Sequence, residues 1–107
     1  MDEYKESDQG KIKQDSDTFY SYVKIPNQYG IHARPATMIV KLYDRYDAEI
    51  NLYNSDNDVL VSAKSIMSLM TLEANKNTII RLDAKGNQAK PALEELIGLI
   101  QHGFGEE

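Results

Sequence analysis

The sequence predicts an α+β fold, a two-layer open-faced sandwich with helices on one face of an antiparallel sheet. Three observations lead there. Short stretches of alternating apolar and polar residues mark four strands, at residues 19–25, 49–53, 59–63 and 78–84. Three segments carry a single apolar stripe at helical spacing, at about residues 33–46, 66–72 and 89–100. The order is strand, helix, strand, strand, helix, strand, helix, and a helix with one stripe covers one face of a sheet. Spacing alone does not order the strands, and a ferredoxin-like sheet is the alternative topology.

Composition sets the limits. A chain of 107 residues with 41% hydrophobic residues fits one domain with a modest core. The net charge of −5 argues against nucleic acid as a partner, and there is no basic face with stacking aromatics. Without cysteines there are no disulfides and no thiolate metal sites, and the two distant histidines, His32 and His102, do not form a metal-ligand spacing. No apolar run approaches the roughly 20 residues of a membrane helix, so membrane insertion is not expected. The charged N-terminus lacks the pattern of a secretory signal, and the expected location is cytoplasmic.

Residues 1–18 are rich in Asp, Glu, Lys, Ser and Gln without an apolar period, which predicts a flexible acidic extension ahead of a domain spanning 19–107. The extension is either a solvated arm or one that engages a partner. In the first strand Phe19, Ser21, Val23 and Ile25 share a face, and Pro26 ends it because proline has no ladder donor. Asn27 to Ile31 is a loop in which Gly30 is free to take positive φ. Ala36, Ile39, Val40 and Tyr43 form the stripe of the first helix, with Lys41, Asp44 and Arg45 toward water. Ile50 and Leu52 alternate with polar neighbours, and Asn54-Ser55-Asp56-Asn57-Asp58 is a turn leading into the third strand, so the pair forms a hairpin. Ser65 caps a short helix. Ile80 and Leu82 alternate with Arg81 and Asp83, and Lys85-Gly86-Asn87 turns the chain. The last helix has the stripe Ala89, Leu93, Leu96, Ile97 and Ile100, with Pro91 in its first turn and a cap at Asn87 or Gln88; Gly103 and Gly105 predict a fraying end.

The chemistry concentrates where the first helix begins. Gly30 precedes His32, and Arg34, Pro35 and an apolar helical pattern follow. This sets an imidazole over a helix N-terminus, where outward amides and the helix dipole favour an anion. A neutral imidazole is a good nucleophile toward phosphorus, and the dipole disfavours the charged ring. A phosphate on that ring would meet the amides and the Arg34 guanidinium, which grips phosphate oxygens with paired donors. By itself a histidine there also reads as a capping or surface residue.

The run Asn27-x-x-Gly30-x-His32-Ala33-Arg34-Pro35-Ala36, followed by Lys64-Ser65-Ile66-Met67, resembles HPr, the histidine-containing phosphocarrier family of the phosphoenolpyruvate-dependent sugar phosphotransferase system. The resemblance covers about residues 19–100, with Ile31 in place of the usual leucine. It implies the sheet order first, fourth, second, third strand. It implies phosphorylation at Nδ1 of His32 with Arg34 at the active site, enzyme I as donor and enzyme IIA domains as acceptors. It implies a monomeric carrier rather than a stand-alone turnover enzyme, and no cofactor.

Ser65 is the second candidate site. As a helix cap it needs no further role, but in some members of the family a dedicated HPr kinase/phosphorylase phosphorylates this serine and so redirects docking. Ile66-Met67 resembles the regulated kind; Ser68 replaces its usual glycine. That leaves a mainly regulatory protein switched at Ser65 as the alternative function. Ile66, Met67, Leu69 and Met70 are too many apolar residues for one short helix to bury, so Ile66, Met67 and Met70 are expected at a partner surface beside the histidine loop. Asp44 stands where the family commonly has lysine, leaving Lys41 and Arg45 for acidic partners.

Overall fold

The computed structural model describes residues 6–106 and contains β1 (Lys13–Asp15), β2 (Thr18–Lys24), α1 (Ala33–Asp44), β3 (Glu49–Asn54), β4 (Val59–Ser62), α2 (Ile66–Thr71), β5 (Ile79–Lys85) and α3 (Ala89–Gln101). Single 3-10 turns lie at Glu6–Asp8 and Gly103–Gly105. The sheet is antiparallel with the order β1-β2-β5-β3-β4. Its last four strands are the four expected ones in the order the resemblance implied, and that order replaces the ferredoxin-like alternative.

Alternation decides which face is covered. Ser21, Val23 and Ile25 from β2 and the residue after it, Ile50 and Leu52 from β3, and Ile80, Leu82 and Ala84 from β5 are all buried beneath the helices. The register sets Val23 beside Ile80 and Leu52 beside Leu82. Against them lie Leu93, Leu96, Ile97 and Ile100 of α3, Ala36, Ile39 and Leu42 of α1, and Leu69 of α2. Each such Leu or Ile contributes about 1.5–3 kcal/mol on leaving water. On the open face Arg81 pairs in register with Tyr22 and Tyr53. Its guanidinium bonds Asp83 at 2.8 Å and lies 4.2 Å from the centre of the Tyr20 ring, which is why Tyr20 is buried on a face without helices.

Four expectations are corrected. The reading of residues 1–18 as an unattached arm does not hold from Glu6 onward: β1 pairs with β2, Gly10 donates to the Tyr22 carbonyl at 2.8 Å, and the Gln9 side chain accepts from the Lys24 amide at 2.8 Å. These contacts occupy the outer edge of β2, and their polar composition hid them from a search for apolar period. Residues 1–5 lie outside the described residues. On α1 the buried face is Pro35, Ala36, Ile39 and Leu42, with Val40 and Tyr43 at its flanks, because α1 packs against both α2 and α3. The N-cap of α3 is Gln88, one of the two expected positions, but neither it nor Asn87 supplies a side-chain capping bond. Both reach back to Asp47 instead, Gln88 accepting from its amide at 2.7 Å and Asn87 donating to its carboxylate at 2.9 Å. Finally, the chain beyond α3 does not fray. Phe104 is fully buried between two glycines, and Gly103 at φ +63° and Gly105 at φ +74° turn the backbone sharply enough to seat it.

Candidate functional site

Packing aims α1 so that its N-terminus emerges at the surface beside α2. His32 is the N-cap, in extended conformation (φ −98°, ψ −165°), and its side chain makes no capping bond. Its carbonyl accepts from Ala36 at 2.9 Å, and the first amides of the helix have no preceding carbonyl within helical reach. Pro35, buried in the first turn, has no amide to leave unpaired. The ring is 39% exposed, and Tyr29, itself 71% exposed, stands edge-on with ring centres 6.3 Å apart.

The loop before the ring is tied at both ends. Asn27, 3% exposed, donates from Nδ2 to the Gly30 carbonyl at 2.8 Å. The Ile31 amide donates to the Ala74 carbonyl at 2.9 Å, so the loop rests on the segment that leaves α2. Gly30 lies at φ +64°, pressed against that segment. Asn27 thus orders the loop from within, through its bond to the Gly30 carbonyl.

One member of the site went unnoticed in the sequence. Glu106 Oε2 lies 3.0 Å and Oε1 3.3 Å from His32 Nε2, and Oε1 also accepts from Asn27 Nδ2 at 2.9 Å. The Asn27 bond first, then the bond from His32 and the charges of His32 and Arg34, hold the Glu106 carboxyl below its ordinary range. These groups are 74 positions apart in sequence, so no local pattern joins them. The available signal was Phe104 between two glycines, an anchor residue in a turn.

Arg34 is exposed and makes no hydrogen bond or ion pair among the described residues, which leaves its guanidinium open to an incoming anion. Arg45, by contrast, is engaged: it pairs with Glu95, which also accepts from Tyr46 at 2.5 Å. Of the two cations expected to meet acidic partners, Arg45 is thus engaged and Lys41 is exposed. Ser65 caps α2, its Oγ accepting from the Ser68 amide at 3.2 Å, and it is half-buried. Leu69 faces the core, whereas Ile66 is 37%, Met70 44% and Met67 77% exposed. His102 is exposed at the end of α3. Among the described residues there is no cluster of metal-ligating side chains and no helix long and apolar enough to cross a membrane.

Known proteins resemble this chain over most of its length. Residues 21–102 match the family model described as "PTS HPr component phosphorylation site". The phosphocarrier protein NPr of Klebsiella oxytoca is 39% identical over 85 residues, 79% of this chain and 93% of that one. A multiphosphoryl transfer protein of Haemophilus influenzae is 39% identical over 83 residues, 77% of this chain, but the chain spans only 17% of that protein's length. The crystal structure of an HPr from Thermoanaerobacter tengcongensis superposes with a TM-score of 0.76 at 33% identity, covering 82% of this chain and 97% of that one.

Proposed function

The chain belongs to the HPr-type phosphocarriers of the phosphotransferase system, and from that premise we propose that His32 accepts a phosphoryl group from enzyme I and passes it to an enzyme IIA-type domain. The observation that carries this reading is the position of the ring: at the head of α1, partly exposed, and making no capping bond. The lone pair of Nδ1 forms a bond to phosphorus while the phosphorus–nitrogen bond of the donor's phosphohistidine breaks, and the electron pair of that bond returns to the donor ring. Onward transfer is the same step with the roles reversed. The amides at the start of α1 and the Arg34 guanidinium stabilise the charge on the phosphoryl oxygens throughout. A phosphoramidate suits a carrier because the bond is labile enough to be broken again.

The partner surface in this reading is the exposed apolar patch of Ile66, Met67 and Met70, which α1 and the Gly30–Ala74 contact bring alongside the histidine loop. Methionines adapt to several partner surfaces. Incubation with enzyme I and phosphoenolpyruvate is expected to give an acid-labile phosphoryl adduct that is lost in His32→Ala; equal labelling of that variant overturns the assignment.

A second reading concerns Ser65. Its hydroxyl oxygen accepts a bond but its proton has no fixed acceptor among the described residues, and it sits at the margin of the same apolar patch. Phosphorylation there by an HPr kinase would set a dianion beside Met67 and oppose docking. An acid-stable, ATP-dependent label absent from Ser65→Ala supports this reading, and no such label on the native chain removes it.

A further inference from the structure

We propose that Glu106 is a positioning residue for transfer at His32: its carboxylate holds the proton of the neutral ring on Nε2, so that the lone pair lies on Nδ1, and it counters the positive charge the ring acquires when Nδ1 bonds to phosphorus. The inference deepens the carrier reading and rests on it.

An ionised carboxylate only accepts hydrogen bonds. With both Glu106 oxygens within 3.3 Å of Nε2, that nitrogen must be the donor. The opposite tautomer would set a nitrogen lone pair against the carboxylate and forfeit a charge-assisted bond. The carboxylate is itself held. Asn27 Nδ2 donates to Oε1, and the same nitrogen donates to the Gly30 carbonyl two residues before the ring. Asn27 Oδ1 is buried without a partner among the described residues, and turning the amide over would aim that oxygen at both acceptors. The Glu106 amide donates to the Gly103 carbonyl at 2.9 Å, and buried Phe104 anchors the turn between them. The carboxylate is thus a fixed part of the site rather than a passing contact.

Charge balance gives this contact a role in transfer. A neutral ring enters with its proton on Nε2. When Nδ1 forms its bond to phosphorus, no proton leaves, and the ring carries a formal positive charge directed at Glu106. When the phosphoryl group departs with its bond to the acceptor, the pair returns to Nδ1 and the charge disappears. A carboxylate that orients a histidine and stabilises its charged form is a general device of nucleophilic sites.

Two substitutions separate the two effects. In alkaline buffer, nitrogen-15 spectra of the native His32 ring are expected to show a protonated Nε2 and an unprotonated Nδ1. Glu106→Gln retains an oxygen acceptor and keeps that pattern, whereas Glu106→Ala shifts it toward a mixture. Phosphorylation by enzyme I slows about tenfold in both, because both lose the opposing charge. A native ring protonated at Nδ1, or Glu106→Ala transferring at the native rate, overturns the proposal. Labelling that survives His32→Ala overturns the carrier reading, and the ring spectrum, which needs no phosphate, then decides the tautomer separately.

Discussion

Gly30 and Gly98 invite the same substitution with opposite outcomes. At Gly30 the backbone has φ +64°, and an added methyl carbon would lie 2.0 Å from the Ala74 carbonyl oxygen and 2.9 Å from two further backbone atoms. An ordinary carbon–oxygen contact is about 3.3 Å, so the loop and the segment after α2 must move apart. Separation breaks the 2.9 Å bond from the Ile31 amide to the same carbonyl, between residues only 6% and 2% exposed. The left-handed backbone costs about 1 kcal/mol for alanine, and a broken buried bond about 1–3 kcal/mol. Gly30→Ala should therefore destabilise by roughly 3 kcal/mol, lowering Tm by about 15 °C for a chain of this size. Gly98, inside α3, has nothing within 4 Å of the added carbon. Gly98→Ala should stabilise by about 0.8–1.0 kcal/mol through helix propensity alone, raising Tm by several degrees. Thermal and urea unfolding read both changes, and phosphorylation by enzyme I should slow only in Gly30→Ala. A Gly30→Ala protein as stable as the native chain would refute the account of the loop, as a destabilised Gly98→Ala would refute that of the helix.

Two further outcomes follow from the segment after α3. Phe104→Ala removes a fully buried ring and should cost about 3–5 kcal/mol in urea unfolding; a loss under about 1 kcal/mol would mean the ring does not anchor the turn. The Glu106 carboxyl is held below its reference value of 4.5, by Asn27 first and then by His32 and Arg34. Because the folded value is the lower one, the stabilisation is present above pH 4.5 and is lost as the pH falls through the folded value. The carboxyl carbon of Glu106, followed by NMR, should titrate with its midpoint below 4.5, and a midpoint at or above that value would remove the contact with Asn27 from the solution structure.

The readability of this chain followed the range of the forces involved. Strands and helices were legible because Val23, Leu52 and Leu82, or Leu93, Leu96 and Ile100, carry their periodicity in a few consecutive turns of chain. The head of α1 was legible for the same reason, since Gly30, His32, Arg34 and Pro35 are neighbours whose geometry is local. The exposure of Met67 and Met70 could be anticipated because a helix of six residues has too little buried face for four large apolar side chains. Glu106, Gln9 and Gln88 could not be read in this way. Each acts through the end of one polar side chain on a partner 74, 15 or 41 positions away, and such isolated bonds leave no periodic trace in composition.

By itself, then, the amino-acid order determined the three helices, four of the five strands, the covered face of the sheet and the histidine at a helix head, all of which depend on neighbours along the chain. Only the tertiary structure decided that the β2 edge is occupied by β1 and Gln9, that Arg45 is engaged with Glu95, and that the histidine faces a carboxylate. The last of these contacts exists because α3 and the buried Phe104 return the chain to the loop at Asn27. The direction of a polar bond between distant segments is set by where packing leaves their backbones, and that is a property of the folded core as a whole.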